Sequence, residues 1–140
     1  PPGPIPTTDP APIPPAPVER GPLFLFVTED PDRDWEVVGP HVIYTSQSNA
    51  QWAKERGVGA TPYPAATTVA DLKGSREFAV VTPADCVALA ERLGNDAELV
   101  FQPIMGGMAP EIGWRSLHLF ERAVLPELVR RGLRSSLTAA

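Results

Sequence analysis

The sequence is short of most features that announce a function. In 140 residues it has one cysteine, Cys86, and two histidines, His41 and His118. A lone cysteine excludes an internal disulfide and fits a reducing cytoplasm, the expected compartment. The histidines fall in different expected helices with no cysteine or carboxylate at ligand spacing, so no metal site is expected. Ser46, Ser48 and Cys86 have no base arranged beside them, which leaves nucleophilic catalysis without support. No GxGxxG or Walker pattern is present. No apolar run approaches the length of a membrane span. The formal net charge of -5 leaves no basic footprint for nucleic acid.

What is present is enough chain for one domain with one core, and a local excess of proline. Ten of the 18 prolines lie in residues 1–22. Each removes a backbone donor and restricts its predecessor, so this segment forms neither a helix nor a central strand. An extended linker or a loop laid on a surface is expected. A ligand for an SH3-like domain is the sharper alternative, but PxxP spacings arise by chance at such proline density. The tail, residues 135–140, has nothing to hold it.

Between these ends come three apolar runs, each leading into a helical pattern. Leu23–Val27 (LFLFV) lacks polar alternation, as in a parallel strand covered on both faces. Asp30 then suits a helix N-cap and Pro31 the first helical position. Gly39-Pro40 predicts a kink or a division of the helix that follows, which runs to about Arg56. Val69–Gly74 fits one helical turn with Leu72 inward. Phe78–Val81 (FAVV) ends at Thr82, which can cap a helix running to Leu93, with Gly94 stopping it. Glu98–Phe101 (ELVF) opens a third strand, Gln102–Ala109 is a turn, and Pro110 starts a last helix. Its apolar stripe is Trp114, Leu117, Phe120, Val124 and Leu128, with a bend near Leu125 imposed by Pro126. The alternation implies parallel strands with right-handed crossovers.

In such sheets functional residues come from the loops after the strands' C-terminal ends: Thr28–Asp30, Thr82-Pro83 and Gln102–Met108. In the last of these Gly106 and Gly107 permit positive φ and close approach to a ligand. Gln102 can donate and accept, and Met105 and Met108 offer adaptable contact to a flat ring. Equally, this is a tight strand-to-helix turn that needs glycine, with the methionines as packing. His41, after Pro40, and Tyr44 beyond it are acid–base candidates that would need a substrate pose to support them. His118 fits an outer or boundary position, and the carboxylates of Glu29, Asp30 and Asp32 fit capping.

LFLFVTEDPDRDWEVVGPHVIY (23–44), VVTPADCVALAERLG (80–94) and LVFQPIMGGMAPEIGWRSLHLFERAVLPEL (99–128) resemble the C-terminal part of luciferase-like flavin-dependent oxidoreductases. That family includes relatives of bacterial luciferase and reductases using deazaflavin F420. The resemblance covers most of residues 20–131 and rests on the order and spacing of TEDPDRDW, VTPAD and PIMGG…WRSLHLF…VLP. It implies a (β/α)8 barrel, of which residues 23–134 would supply the last three β–α units, an α/β fold. It implies FMN or F420 at the barrel mouth and monooxygenation or hydride transfer. Carried over by position, Gln102, Pro103, Met105, Gly106 and Gly107 would lie beside the cofactor ring, with Thr82 ending the preceding strand. His41 and Tyr44 would fall near the substrate opening. Such barrels take about 250 residues, so the resemblance implies a fragment, inactive alone, that associates with itself or with a complementary barrel fragment. The second reading is a non-enzymatic α/β module that binds proteins through its proline-rich arm and open sheet edge.

Overall fold

The computed structural model describes residues 20–59, 63, 65–95 and 97–133. Most of the proline-rich segment and the tail lie outside the described residues.

Strand β1, Phe24–Val27, and strand β2, Phe78–Val81, form a parallel pair with Phe24 opposite Phe78 and Val27 opposite Val81. All four residues of β1 are buried, as an apolar run covered on both faces requires. Alternation along the strands divides the core in two. Phe24, Phe26, Phe78 and Val80 pack with Trp35, Val38, Val42, Leu72, Met105 and Met108. Leu25 and Val27 pack on the other side with Cys86, Val87, Ala90, Leu119, Val124 and Leu128.

Helix α1, Pro31–Glu55, begins as its sequence dictates: the Asp30 side chain accepts the Arg33 N–H (3.1 Å), and Pro31 takes the first helical position. The division expected at Pro40 does not occur, and one helix runs through it. Pro40 itself is exposed. The short helix α2, Val69–Lys73, buries Leu72 as expected and is closed by a capping box between Thr68 and Asp71. Helix α3, Pro83–Leu93, is capped by Thr82, whose Oγ1 accepts the Asp85 N–H (3.2 Å).

The expected run of three β–α units from a (β/α)8 barrel is overturned: among the described residues there are two strands, not three, in a largely helical chain. Glu98–Phe101 meets the sheet at a single parallel bridge between Arg20 and Glu98, where the Gly21 N–H donates to the Glu98 carbonyl (2.8 Å). This bridge extends the edge of β1 away from β2, so the first apolar run lies between the other two. In a barrel whose successive strands are neighbours, the second run would lie there. Beyond the bridge, side chains replace the third backbone. Gln102 Nε2 donates to the Leu23 carbonyl (2.9 Å), and the Val27 N–H donates to Ser116 Oγ (2.7 Å). The cause is local. Pro103 has no N–H to give a ladder, and the Gln102 carbonyl accepts instead from the Met105 N–H (3.3 Å), opening a 3₁₀ turn over Met105–Gly107.

Helix α4, Pro110–Leu119, covers that edge, and its buried face is Gly113, Ser116 and Leu119. The expected stripe is therefore rotated by one residue, about 100°, leaving Trp114 58% exposed. The rotation ends in a π-helical turn, Phe120–Val124, whose five-residue hydrogen bond runs from the Leu125 N–H to the Phe120 carbonyl. Pro126 explains the position of this turn, since it can neither donate to the Arg122 carbonyl nor pass it without a clash. The inserted residue brings Val124, and then Leu128 in helix α5 (Leu125–Arg130), back to the core.

The approach of α4 to the preceding turn is tight. A Cβ on Gly113 would strike the Pro103 carbonyl, whose carbon lies 2.8 Å away. Gly113→Ala should lower unfolding free energy by about 1–3 kcal/mol in urea titration, despite a helix-propensity gain of up to about 1 kcal/mol. Gly59→Ala, with nothing within 4 Å of the new atom, should stay within about 0.5 kcal/mol. Equal effects would contradict the packing.

Candidate functional site

The residues expected beside a cofactor ring are mostly spent on holding the fold. Gln102 hydrogen-bonds Leu23 and also lies 2.7–3.0 Å from the Tyr63 hydroxyl. Pro103 is the surface on which Gly113 seats. Met105 and Met108 are buried among Phe24, Phe26 and Trp35. Gly106, at φ +61°, lies against His41, where any Cβ would meet the His41 backbone carbonyl, its carbon 2.8 Å away. His41 answers with Nδ1 at 3.1 Å from the Gly106 carbonyl; because that carbonyl only accepts, Nδ1 carries the proton. Gly107 is exposed with open space around it. Tyr44 is 65% exposed on α1. Thr82 is aligned with Thr28 beyond the C-terminal ends of the paired strands, whereas Gln102 is bonded at Leu23, near the start of β1. Five residues of strand separate Thr28 from Leu23, about 16 Å. Gln102, Pro103, Gly106 and His41 thus form one junction between α1, α4 and the sheet, and Thr82 stands apart from it.

A different group converges where β1 ends and α1 begins. Asp34, in the first turn of α1, is fully buried. Its carboxylate accepts from the buried Thr28 hydroxyl and from Arg115 Nη2 on α4 (2.9 Å), with Arg33 at 3.3 Å. Burial is the largest single influence on Asp34 and opposes its ionisation. The hydrogen bonds from Thr28 and Arg33, with the charges of Arg115 and Arg33, outweigh it and hold the carboxyl below its ordinary range. Arg115 also lies over the Phe26 ring, 6.0 Å from its centroid. The two guanidinium groups open on a cleft of ≈ 310 Å³, lined also by Thr28, Glu29, His118 and Arg122 over an apolar floor of Val27 and Leu119. At its edge Trp114 stacks on His118, with ring centroids 5.5 Å apart.

Sequence reasoning missed this group because it took Glu29, Asp30 and Asp32 as capping residues and did not weigh Asp34. The available signal was the spacing of Arg115, His118 and Arg122, three and four residues apart, which puts a basic stripe on one helix face.

A larger groove of ≈ 510 Å³ lies between α3 and the end of α5, but its charges satisfy one another. Arg131 bridges Glu91 and Glu127, and hydrogen bonds from Arg130 and Arg131 lower Glu127 to about 2. Cys86, on α3, is buried in the core with Leu25 and Val27, and burial pushes its thiol up to about 12, so it is protonated and inert at neutral pH. Among the described residues no group of three or more histidines, cysteines or carboxylates is placed to hold a metal, and no helix is long and apolar enough to cross a membrane.

The chain matches no family model, no curated protein and no solved structure. The site must therefore be weighed on its own chemistry. A phosphorylated flavin or deazaflavin needs donors for an anion and a broad apolar slot for its ring. The cleft at the end of β1 offers the donors. At ≈ 310 Å³ it lies at the lower limit for a ligand pocket, about 300–1,000 Å³, and suits the anionic end of such a molecule and not the ring.

Asp34→Asn should lower stability at pH 7 by about 1–3 kcal/mol, the worth of hydrogen bonds to a buried charge. Because the folded carboxyl titrates below its unfolded value, its contribution is full above the unfolded value, near 4, and fades as pH falls through the folded one. The gap between wild type and variant should therefore close in acid; a gap independent of pH would contradict the ion-pair account. Cys86 should resist alkylation by iodoacetamide at pH 8 until denaturant unfolds the chain, and rapid labelling of native protein would show that it is not buried.

Proposed function

We propose that this chain acts in flavin- or F420-dependent oxidoreduction of a small-molecule substrate in the cytoplasm, as its resemblance to luciferase-like oxidoreductases implies, but not as an arc of their barrel. The observation that carries this reading is a meeting of two segments. TEDPDRDW (28–35) and WRSLHLF (114–120), two of the most specific pieces of the resemblance, join through the Asp34–Arg115 ion pair across 81 residues of sequence. A buried carboxylate that fixes an arginine beyond the end of a parallel strand builds a rigid wall for a polar ligand, where α/β sheets bind ligands. The cofactor would supply the electron transfer, as monooxygenation or hydride transfer. The chain's residues would bind and orient: Arg33 and Arg115 by charge, Thr28 and Asp34 by holding those arginines in place. The ring contacts would come from residues other than Met105 and Met108, which are buried in the core: one face from the exposed Trp114 beside the cleft, the rest from a second copy or a complementary chain.

The second reading is a non-enzymatic module that associates through its sheet edge. It is favoured by β2, whose outer edge pairs with no strand among the described residues, an arrangement prone to pairing between chains.

Titrating FMN and F420 against the purified chain, followed by tryptophan fluorescence, separates the two. Trp114 beside the cleft is the reporter. Saturable quenching that is lost in Asp34→Asn supports the oxidoreductase reading. Failure of both cofactors, together with stable dimers in sedimentation, would overturn it in favour of the module.

A further inference from the structure

We infer that the cleft at the end of β1 is an oxyanion site that takes a phosphate group, with Arg115 and Arg122 as its principal ligands. The inference deepens the proposed function, on which it rests for the identity of the phosphorylated molecule. The site itself stands on the cleft's own charge and geometry.

Three guanidinium groups, Arg33 from α1 and Arg115 and Arg122 from the helix opposite, line one small cleft. Like charges gathered from separate elements repel unless something compensates them. Two carboxylates do so in part. Asp34 lies behind the cleft wall, fully buried and shared between Arg33 and Arg115. Glu29 lines the cleft. Asp30 and Glu29 both act on Arg33 as well, so Arg122 is the guanidinium of the three that no carboxylate pairs with among the described residues. His118, between the two arginines of the stripe, adds a donor; Glu121 is its nearest carboxylate, at 3.8 Å, and both are largely exposed.

The roles differ by position. Arg115 is held by Asp34 through one Nη2 hydrogen bond, which leaves its other N–H groups for a ligand. Its guanidinium is therefore fixed before any ligand arrives, which lowers the ordering cost of binding. Arg122 makes no hydrogen bond or ion pair among the described residues, so its whole fork is available to an anion. Asp34 is a positioning residue: it touches the arginines, not the ligand. The cleft volume of ≈ 310 Å³ admits a phosphate with its ester arm, and the exposed Trp114–His118 stack at the rim is a platform on which an attached heteroaromatic group would lie.

The test uses the full chain and three probes at fixed ionic strength: inorganic phosphate by ³¹P NMR line broadening, and FMN and riboflavin by fluorescence titration. Phosphate should bind saturably, and FMN should bind at least about tenfold more tightly than riboflavin. Arg122→Ala removes no hydrogen bond or ion pair among the described residues, so it should weaken phosphate about tenfold or more and erase the preference for FMN while the melting temperature stays within about 3 °C of wild type. Arg122→Lys should restore part of both. Absence of saturable phosphate binding, or binding indifferent to Arg122 and Arg115, overturns the site. The two failures are distinct. Phosphate binding without FMN or F420 binding keeps the oxyanion site and removes the cofactor reading. FMN and riboflavin bound equally, with no phosphate binding, keeps the cofactor reading and removes the site.

Discussion

The hydrogen bond from the Val27 N–H to Ser116 Oγ, 2.7 Å long and buried, is the contact on which the remaining architecture depends. A buried backbone N–H without a partner costs about 1–3 kcal/mol, and a two-stranded sheet leaves such groups along both edges. Here one edge of β1 is closed by side chains, Gln102 at Leu23 and Ser116 at Val27. A serine can serve a strand edge only if its helix comes close. Gly113, one turn earlier, makes that approach possible against Pro103. The same docking carries Arg115 to Asp34 and places His118 and Arg122 over the end of β1. Fold and candidate site are thus set by one helix face made of small residues.

Asp34 joins the second half of this arrangement. A buried carboxylate is a liability unless it is paired, and its partners come from the strand, the same helix and a distant helix. Removing it would strand Arg115, but Arg115 is half exposed (50%) and can turn to water. The Asp34–Arg115 pair on its own therefore serves more to fix the position of the guanidinium than to add stability, since half-exposed ion pairs are worth little; the stability that Asp34 contributes comes mainly from its buried hydrogen bond with Thr28. Fixed cationic groups are what recognition of an oxyanion requires.

Several elements were legible in the residues. LFLFV and FAVV are strands because apolar runs without polar alternation need cover on both faces; β1 is buried along its whole length, and β2 fully on one face and partly on the other. Asp30-Pro31 and Thr82-Pro83 start helices by their own chemistry. Leu72 is buried as its helical turn required. ELVF misled because hydrophobicity alone does not distinguish a strand from an extended segment that packs beside one; the deciding groups, Pro103 and the side chains of Gln102 and Ser116, act from outside the run. The face of α4 misled for the opposite reason. Gly113 and Ser116 are buried by close approach and by a hydrogen bond, neither of which hydropathy registers, while Trp114 is largely exposed. Pro126 announced a disturbance, but its form, a π turn that shifts the buried face by one residue, depends on Val124 and Leu128 having a core to meet. The arginine stripe at Arg115, His118 and Arg122 was visible in spacing, yet only the docking of α4 on β1 gives it Asp34 as a partner.

Amide hydrogen exchange at Val27, compared between wild type and Ser116→Ala, reads the Val27–Ser116 hydrogen bond alone. Exchange should be slow in wild type and about tenfold or more faster in the variant, the equivalent of one lost buried hydrogen bond. The Phe24 and Thr28 amides, bonded to β2, should keep their protection. A Val27 amide equally protected in both proteins, with cross-strand contacts from Val27 to a third extended backbone, would contradict that bond.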